Sequence, residues 1–217
     1  MSGQWINIKK STRNASIVGG LIGALILSTV VGVTAWGAAA NSVQKTSLSS
    51  GSSAAVVYHL HLTIATGLGP TGDWPAFVPS KLTLPQNATV VVTIADLDNA
   101  TALPASLAKV SGTVGNTVQV SRINPSNPNK IGSSITTSRL DPTTEVGHTF
   151  TIPQLGINVP VAADAIETFT IHTGASDSCG ANGECMWRCD DPCGSGSSGW
   201  GGPMAAAGFM SGAVTLV

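Results

Sequence analysis

From residue 55 onward, apolar residues come in short runs that alternate along the chain, and turn-forming residues cut each run off before it could make a helix. In Val57-Tyr-His-Leu-His-Leu-Thr-Ile64, Tyr58, Leu60, Leu62 and Ile64 share one face, while His59, His61 and Thr63 share the other. That is the period of a half-buried strand, with the two histidines turned to solvent. Strands are read in the same way over residues 55–65, 80–84, 89–96, 117–120, 147–152, 166–172, 185–189 and 211–217. Between them stand Gly67-Leu-Gly-Pro70, Pro85-Gln-Asn87, the Asn/Pro run 124–129 and Asp141-Pro142. Only 103–110 reads as a short helix. Regularly spaced strands without amphipathic helices predict an all-β sandwich or barrel over residues 55–217.

The N-terminal part has a different character. Residues 15–40 carry no charge, and at about 1.5 Å per residue they reach across a hydrocarbon layer of about 30 Å. Lys9, Lys10 and Arg13 precede this run, and no basic residue follows until Lys45. The basic flank predicts a single-pass anchor over 15–40, with residues 1–14 cytoplasmic and the main domain extracytoplasmic. A cleaved signal peptide ending at Ala38-Ala39-Ala40 is the competing reading. The Ser-rich stretch 41–54 reads as a flexible tether. Only 10% of the 217 residues are charged and the net charge is −1, so no basic field attracts nucleic acid. So few charges suit a body that packs against a partner rather than a free soluble one.

The chemically loaded residues lie near the C-terminus. All four cysteines fall in Cys179-Gly-Ala-Asn-Gly-Glu-Cys185-Met-Trp-Arg-Cys189-Asp-Asp-Pro-Cys193. On an extracytoplasmic domain they read first as disulfides, and four cysteines allow three pairings. Spacing does not choose among them, although Cys179–Cys185 with Cys189–Cys193 is the most local.

Here the sequence resembles the cupredoxins, in particular the copper domain of cytochrome oxidase subunit II. Trp74 to Val92 resembles that family's opening strands. Gly147-His148-Thr-Phe-Thr-Ile-Pro-Gln-Leu-Gly-Ile-Asn-Val159 resembles the segment bearing its first copper histidine. Trp187-Arg-Cys189-Asp-Asp-Pro-Cys193-Gly194 resembles its C-x3-C-G ligand loop, and Gly208-Phe-Met210-Ser-Gly-Ala-Val214 its methionine ligand and final strand. The resemblance implies a Greek-key β-sandwich with His148, Cys189, Cys193 and Met210 as copper ligands, Met204 being a substitute for Met210. One departure stands out. The family places a second histidine three residues before the methionine; this chain has Ala207 there, and no histidine follows His172. Blue-copper sites use two imidazoles, a thiolate and a weak axial ligand, so this set is one imidazole short.

Two functions follow. The first is a copper-free, disulfide-stapled accessory subunit of a membrane respiratory or redox complex, like subunit II of quinol-using oxidases. The second is a copper-binding electron-transfer protein with a modified site. In neither is the chain catalytic alone. Gly194-Ser-Gly-Ser-Ser-Gly199 matches a dinucleotide fingerprint literally, but Trp-Gly-Gly-Pro follows it where a helix is required. Asp96 and Asp98 on a strand edge, and Asp190 and Asp191 beside the cysteines, read as solvated turn carboxylates. Asn87 and Asn99 head N-x-T sequons. Trp74 and Trp187 are expected as core or loop-packing residues, and Trp200 exposed and available to a partner.

Overall fold

The computed structural model describes residues 44–47, 56–72, 74–124 and 126–217. The expected anchor at 15–40 and the N-terminal residues 1–14 lie outside the described residues. Among the described residues, no helix is long and apolar enough to cross a membrane.

Two sheets face each other over one core, as the alternating runs predict. The larger sheet contains β1 (Gln44–Ser47), β2 (Val56–Thr66), β5 (Thr89–Asp96), β11 (Ala165–His172), β6 (Val118–Asn124) and β7 (Asn127–Ile131), in that order. β3 (Pro75–Val78) pairs with β2, and β8 (Ile135–Thr137) with β6. The smaller sheet runs β10 (Ile157–Ala162), β9 (Val146–Ile152), β12 (Glu184–Arg188), β13 (Ser211–Leu216), β4 (Leu82–Leu84). The chain crosses between sheets five times, from β3 to β4, β4 to β5, β8 to β9, β10 to β11 and β11 to β12. β2 lies parallel to β5, and β13 parallel to β4; the other strand pairs are antiparallel.

The period-2 pattern sets which residues face inward. Leu60, Leu62 and Ile64 are buried in β2, as are Val90, Val92 and Ile94 in β5 and Phe169 and Ile171 in β11. From the smaller sheet, Phe150, Trp187, Val214 and Leu216 meet them. Trp187 is fully buried, 4.7 Å from Phe77 and stacked at 6.0 Å on Phe150, ring centre to ring centre. Its indole N–H donates to Ser80 O at 2.7 Å, which satisfies the one polar atom this burial would strand. Gly212 makes that contact possible, because a Cβ there would run into Ser80 O and approach the indole nitrogen.

Three expectations need correction. Residues 103–110 form no helix; a turn at 105–108 is followed by an isolated bridge from Lys109 to Arg139. Pro104 leaves only a tight turn, closed by Leu107 N–H on Pro104 O at 2.9 Å, and Leu103, Ala108 and Val110 bury as single anchors. Asp96 and Asp191, read as solvated turn carboxylates, are fully buried, whereas Trp74 is 40% exposed and packs edge-on to Phe209 at 5.7 Å, the loop-packing place expected of it. Within the stretch read as a tether, Gln44–Ser47 pairs with Val56–His59 as an edge strand.

Candidate metal centre

β9 carries His148 into the space between the sheets, and all seven of its residues are buried. β12 ends at Arg188, so Cys189 begins the connection that returns to β13. Cys189 N–H donates to Met210 O at 2.8 Å, pinning the two ends of that loop beside each other. Thr149 holds the loop from the β9 side. Its hydroxyl accepts Asp190 N–H at 2.6 Å, and its own N–H points at Cys189 Sγ at 3.3 Å. Cys193 is drawn back by its N–H on Asp191 O at 2.7 Å, and Asp191 is tied to Thr101 by a hydroxyl–carboxylate bond.

This folding brings three donors together. His148 Nδ1 lies 3.0 Å from Cys193 Sγ, which lies 3.5 Å from Cys189 Sγ. His148 is 3% exposed and Cys189 2%, with Cys193 half-buried. The other two cysteines are elsewhere, joined as the disulfide Cys179–Cys185, so Cys189 and Cys193 stand as free thiols. Met210 is buried and lines the same cavity as Cys189, as does Met204. The other three histidines are on the larger sheet: His59 and His61 in β2, and His172 at the end of β11, where its Nδ1 meets Thr89 Oγ1 at 3.1 Å. None joins the cluster, and Ala207 sits in an exposed turn with no donor to offer.

Asp98 was not legible as part of this site. It follows β5 on the opposite sheet, yet its Oδ2 accepts from His148 Nε2 at 3.3 Å. Thr66 fixes Asp98 in turn, through its N–H at 2.9 Å and its hydroxyl at 3.0 Å. With Nε2 engaged by a carboxylate, Nδ1 is the nitrogen presented to the sulfurs. This is the carboxylate–histidine pairing that orients imidazoles at metal sites. A signal for the acidic surroundings was present in the sequence. The inward phase of β5 is Val90, Val92, Ile94 and Asp96, which places a carboxylate where only apolar side chains would be expected.

Electrostatics follow from burial against charge. Burial opposes a charged imidazole, but Asp96, the bond to Asp98 and Cys189 outweigh it and push His148 well above its ordinary value. Burial also opposes a thiolate at Cys189, yet its bonds from Cys193 and His148, with the imidazole's charge, hold it well below the usual thiol range. The bond to Cys189 and then burial push Cys193 up. Asp96 is pushed up to about 8 by burial, against the pull of His148, and its Oδ2 has no hydrogen-bond partner. For Asp98, burial is overcome by the bond and charge of His148 and the bonds from Thr66, which hold its carboxyl below the usual range.

The three donor atoms lie within 4.8 Å of one another, and the set is one imidazole and two sulfurs with no carboxylate. Soft thiolate donors of this kind suit copper(I) and exclude magnesium- or calcium-like ions. A soft copper ion fits these donors, although the two-imidazole arrangement of a blue site does not.

No protein-family model matches the chain, and no curated protein matches it. Three solved structures to which it is similar are auracyanin B, the copper protein rusticyanin and rusticyanin from Thiobacillus ferrooxidans. Auracyanin B is 12% identical, over 82% of this chain and 99% of that one, with a TM-score of 0.33. The first rusticyanin is 18% identical over 80% and 88%, and the second 16% over 80% and 87%, both with a TM-score of 0.26.

Proposed function

We propose that this chain is a cupredoxin-like electron-transfer module, anchored by residues 15–40 on the extracytoplasmic side of a membrane, with copper held by His148, Cys189 and Cys193. The convergence of one imidazole nitrogen and two thiol sulfurs in a buried space carries this reading. Copper in such a site supplies one-electron transfer. The protein's own residues do the rest. Asp98 orients His148, Thr149 and Met210 fix Cys189, and the Phe77–Phe150–Trp187 packing keeps the strands beneath rigid. Met210, with Met204 as substitute, is the thioether of the set. The chain is not catalytic alone; its partners are protein subunits of a membrane redox complex resembling an oxidase that uses a subunit II.

A copper-free accessory subunit is the second reading, favoured by the 3.5 Å approach of Cys189 and Cys193. These thiols can close a disulfide in an oxidising compartment, and a sulfur so bonded is no longer a thiolate ligand. Titration of the chelator-free, anaerobic protein with copper separates the two. One equivalent bound with a visible thiolate-to-copper band, abolished in Cys189→Ser, is the expected result. Zero free thiols and no copper uptake would overturn it in favour of the accessory subunit.

A further inference from the structure

A groove of about 300 Å³ opens where β12 and β13 meet the returning loop. All three methionines among the described residues, Met186, Met204 and Met210, line it, and so does Cys189. Their exposure is graded. Met186 is 54% exposed on the outward phase of β12, Met204 is half-buried, and Met210 is buried at 1%. The methionines thus grade from exposed to buried, and the buried one accepts the Cys189 N–H at its carbonyl. The groove's one carboxylate, Asp190, is engaged by Arg188 at 2.7 Å. The charge of that carboxylate is already balanced by a guanidinium, which disfavours a hard dication, whereas the thioether sulfurs are neutral and have no proton to lose. Donors of that kind select monovalent soft ions.

We infer that this groove is a capture site for a monovalent soft cation, copper(I), with Met186 and Met204 as outer ligands and Met210 as the inner one beside Cys189. The choice of copper rests on the function proposed above, but the thioether site itself does not need the thiols. Binding here is ligand exchange with water, and no electron moves.

The test uses silver(I), a redox-inert mimic, and full-length protein in detergent carrying Cys189→Ser and Cys193→Ser. The Cys179–Cys185 disulfide leaves no competing thiol. Methyl-labelled methionine gives four resonances for four methionines. Three should shift with one equivalent of silver while Met1 stays, and adding Met186→Leu with Met204→Leu should weaken binding at least tenfold. Should the serine variant fail to fold, the same titration on anaerobic wild-type protein with the Cys179–Cys185 disulfide intact should move the Met186 and Met204 methyls once Cys189 and Cys193 are filled. Unmoved methyls, or equal affinity in the leucine variant, would overturn the capture site. Failure of the copper centre would show separately, as a wild-type protein without the charge-transfer band.

Discussion

At the scale of single residues, the bond from His148 to Asp98 controls how the site works. A buried imidazole held at one nitrogen presents the other in a fixed direction, and losing the holder frees both. Asp98→Ala should weaken copper(I) binding about 10–100-fold, as outer partners of metal-ligating histidines typically do. Asp98→Asn keeps an acceptor oxygen and should recover much of the loss; a competition titration against a copper(I) chelator reads both. Gly147 belongs to the same arrangement. A Cβ there would meet Asp96 Oδ2 at 2.5 Å, so Gly147→Ala should lower stability in the metal-free protein, measured by urea unfolding. His148, Cys189 and Cys193 were legible because the segments that carry them resemble the copper-binding strand and loop of the cupredoxins. Asp98 was not, because a carboxylate beyond a strand end says nothing about which sheet faces it.

Among the elements, the pairing of β12 with β13 carries the fold and the site together. Arg188 stands opposite Ser211 and Trp187 opposite Gly212, so the indole, Ser80 and the ligand loop share one frame. Trp187→Ala should cost about 3–5 kcal/mol, the range for removing a buried aromatic, and thermal unfolding would read it. Alternation marked β2, β5, β11 and β12 well, since each buries one face and keeps a period of two. Five short strands escaped, one of them β1, which lies in the stretch read as a tether. β3 starts at Pro75, β7 and β8 are edge pieces with little apolar content, and β10 is buried along nearly its whole length and does not alternate. The sequence also overread 103–110. An apolar stretch of that length with a proline inside supplies anchors as easily as a helix turn.

In the whole molecule, the two sheets enclose two carboxyls on their inward phases, Asp96 from β5 and Glu167 from β11. Burial pushes Glu167 up to about 8, and its Oε2 accepts Ala162 N–H at 2.9 Å. The unfolded chain releases that proton near the ordinary glutamate value, so over the interval up to about pH 8 the folded state binds more protons than the unfolded one. The contribution of Glu167 to stability should therefore be complete below the ordinary glutamate value and fall as pH rises toward 8, by on the order of 1 kcal/mol per pH unit. Glu167→Gln should flatten that slope in denaturant titrations at several pH values.

The loop from Cys189 to Met210 springs from two strands already in register, and a backbone bond clamps its ends. Closing a longer loop on such a base costs little, about 0.6 kcal/mol for each doubling of its length. The ligand-bearing segment is thus close to an interchangeable part. Closure entropy therefore constrains its length only weakly, while the Trp187 indole on Ser80 O and the close approach at Gly212 hold the framework beneath it.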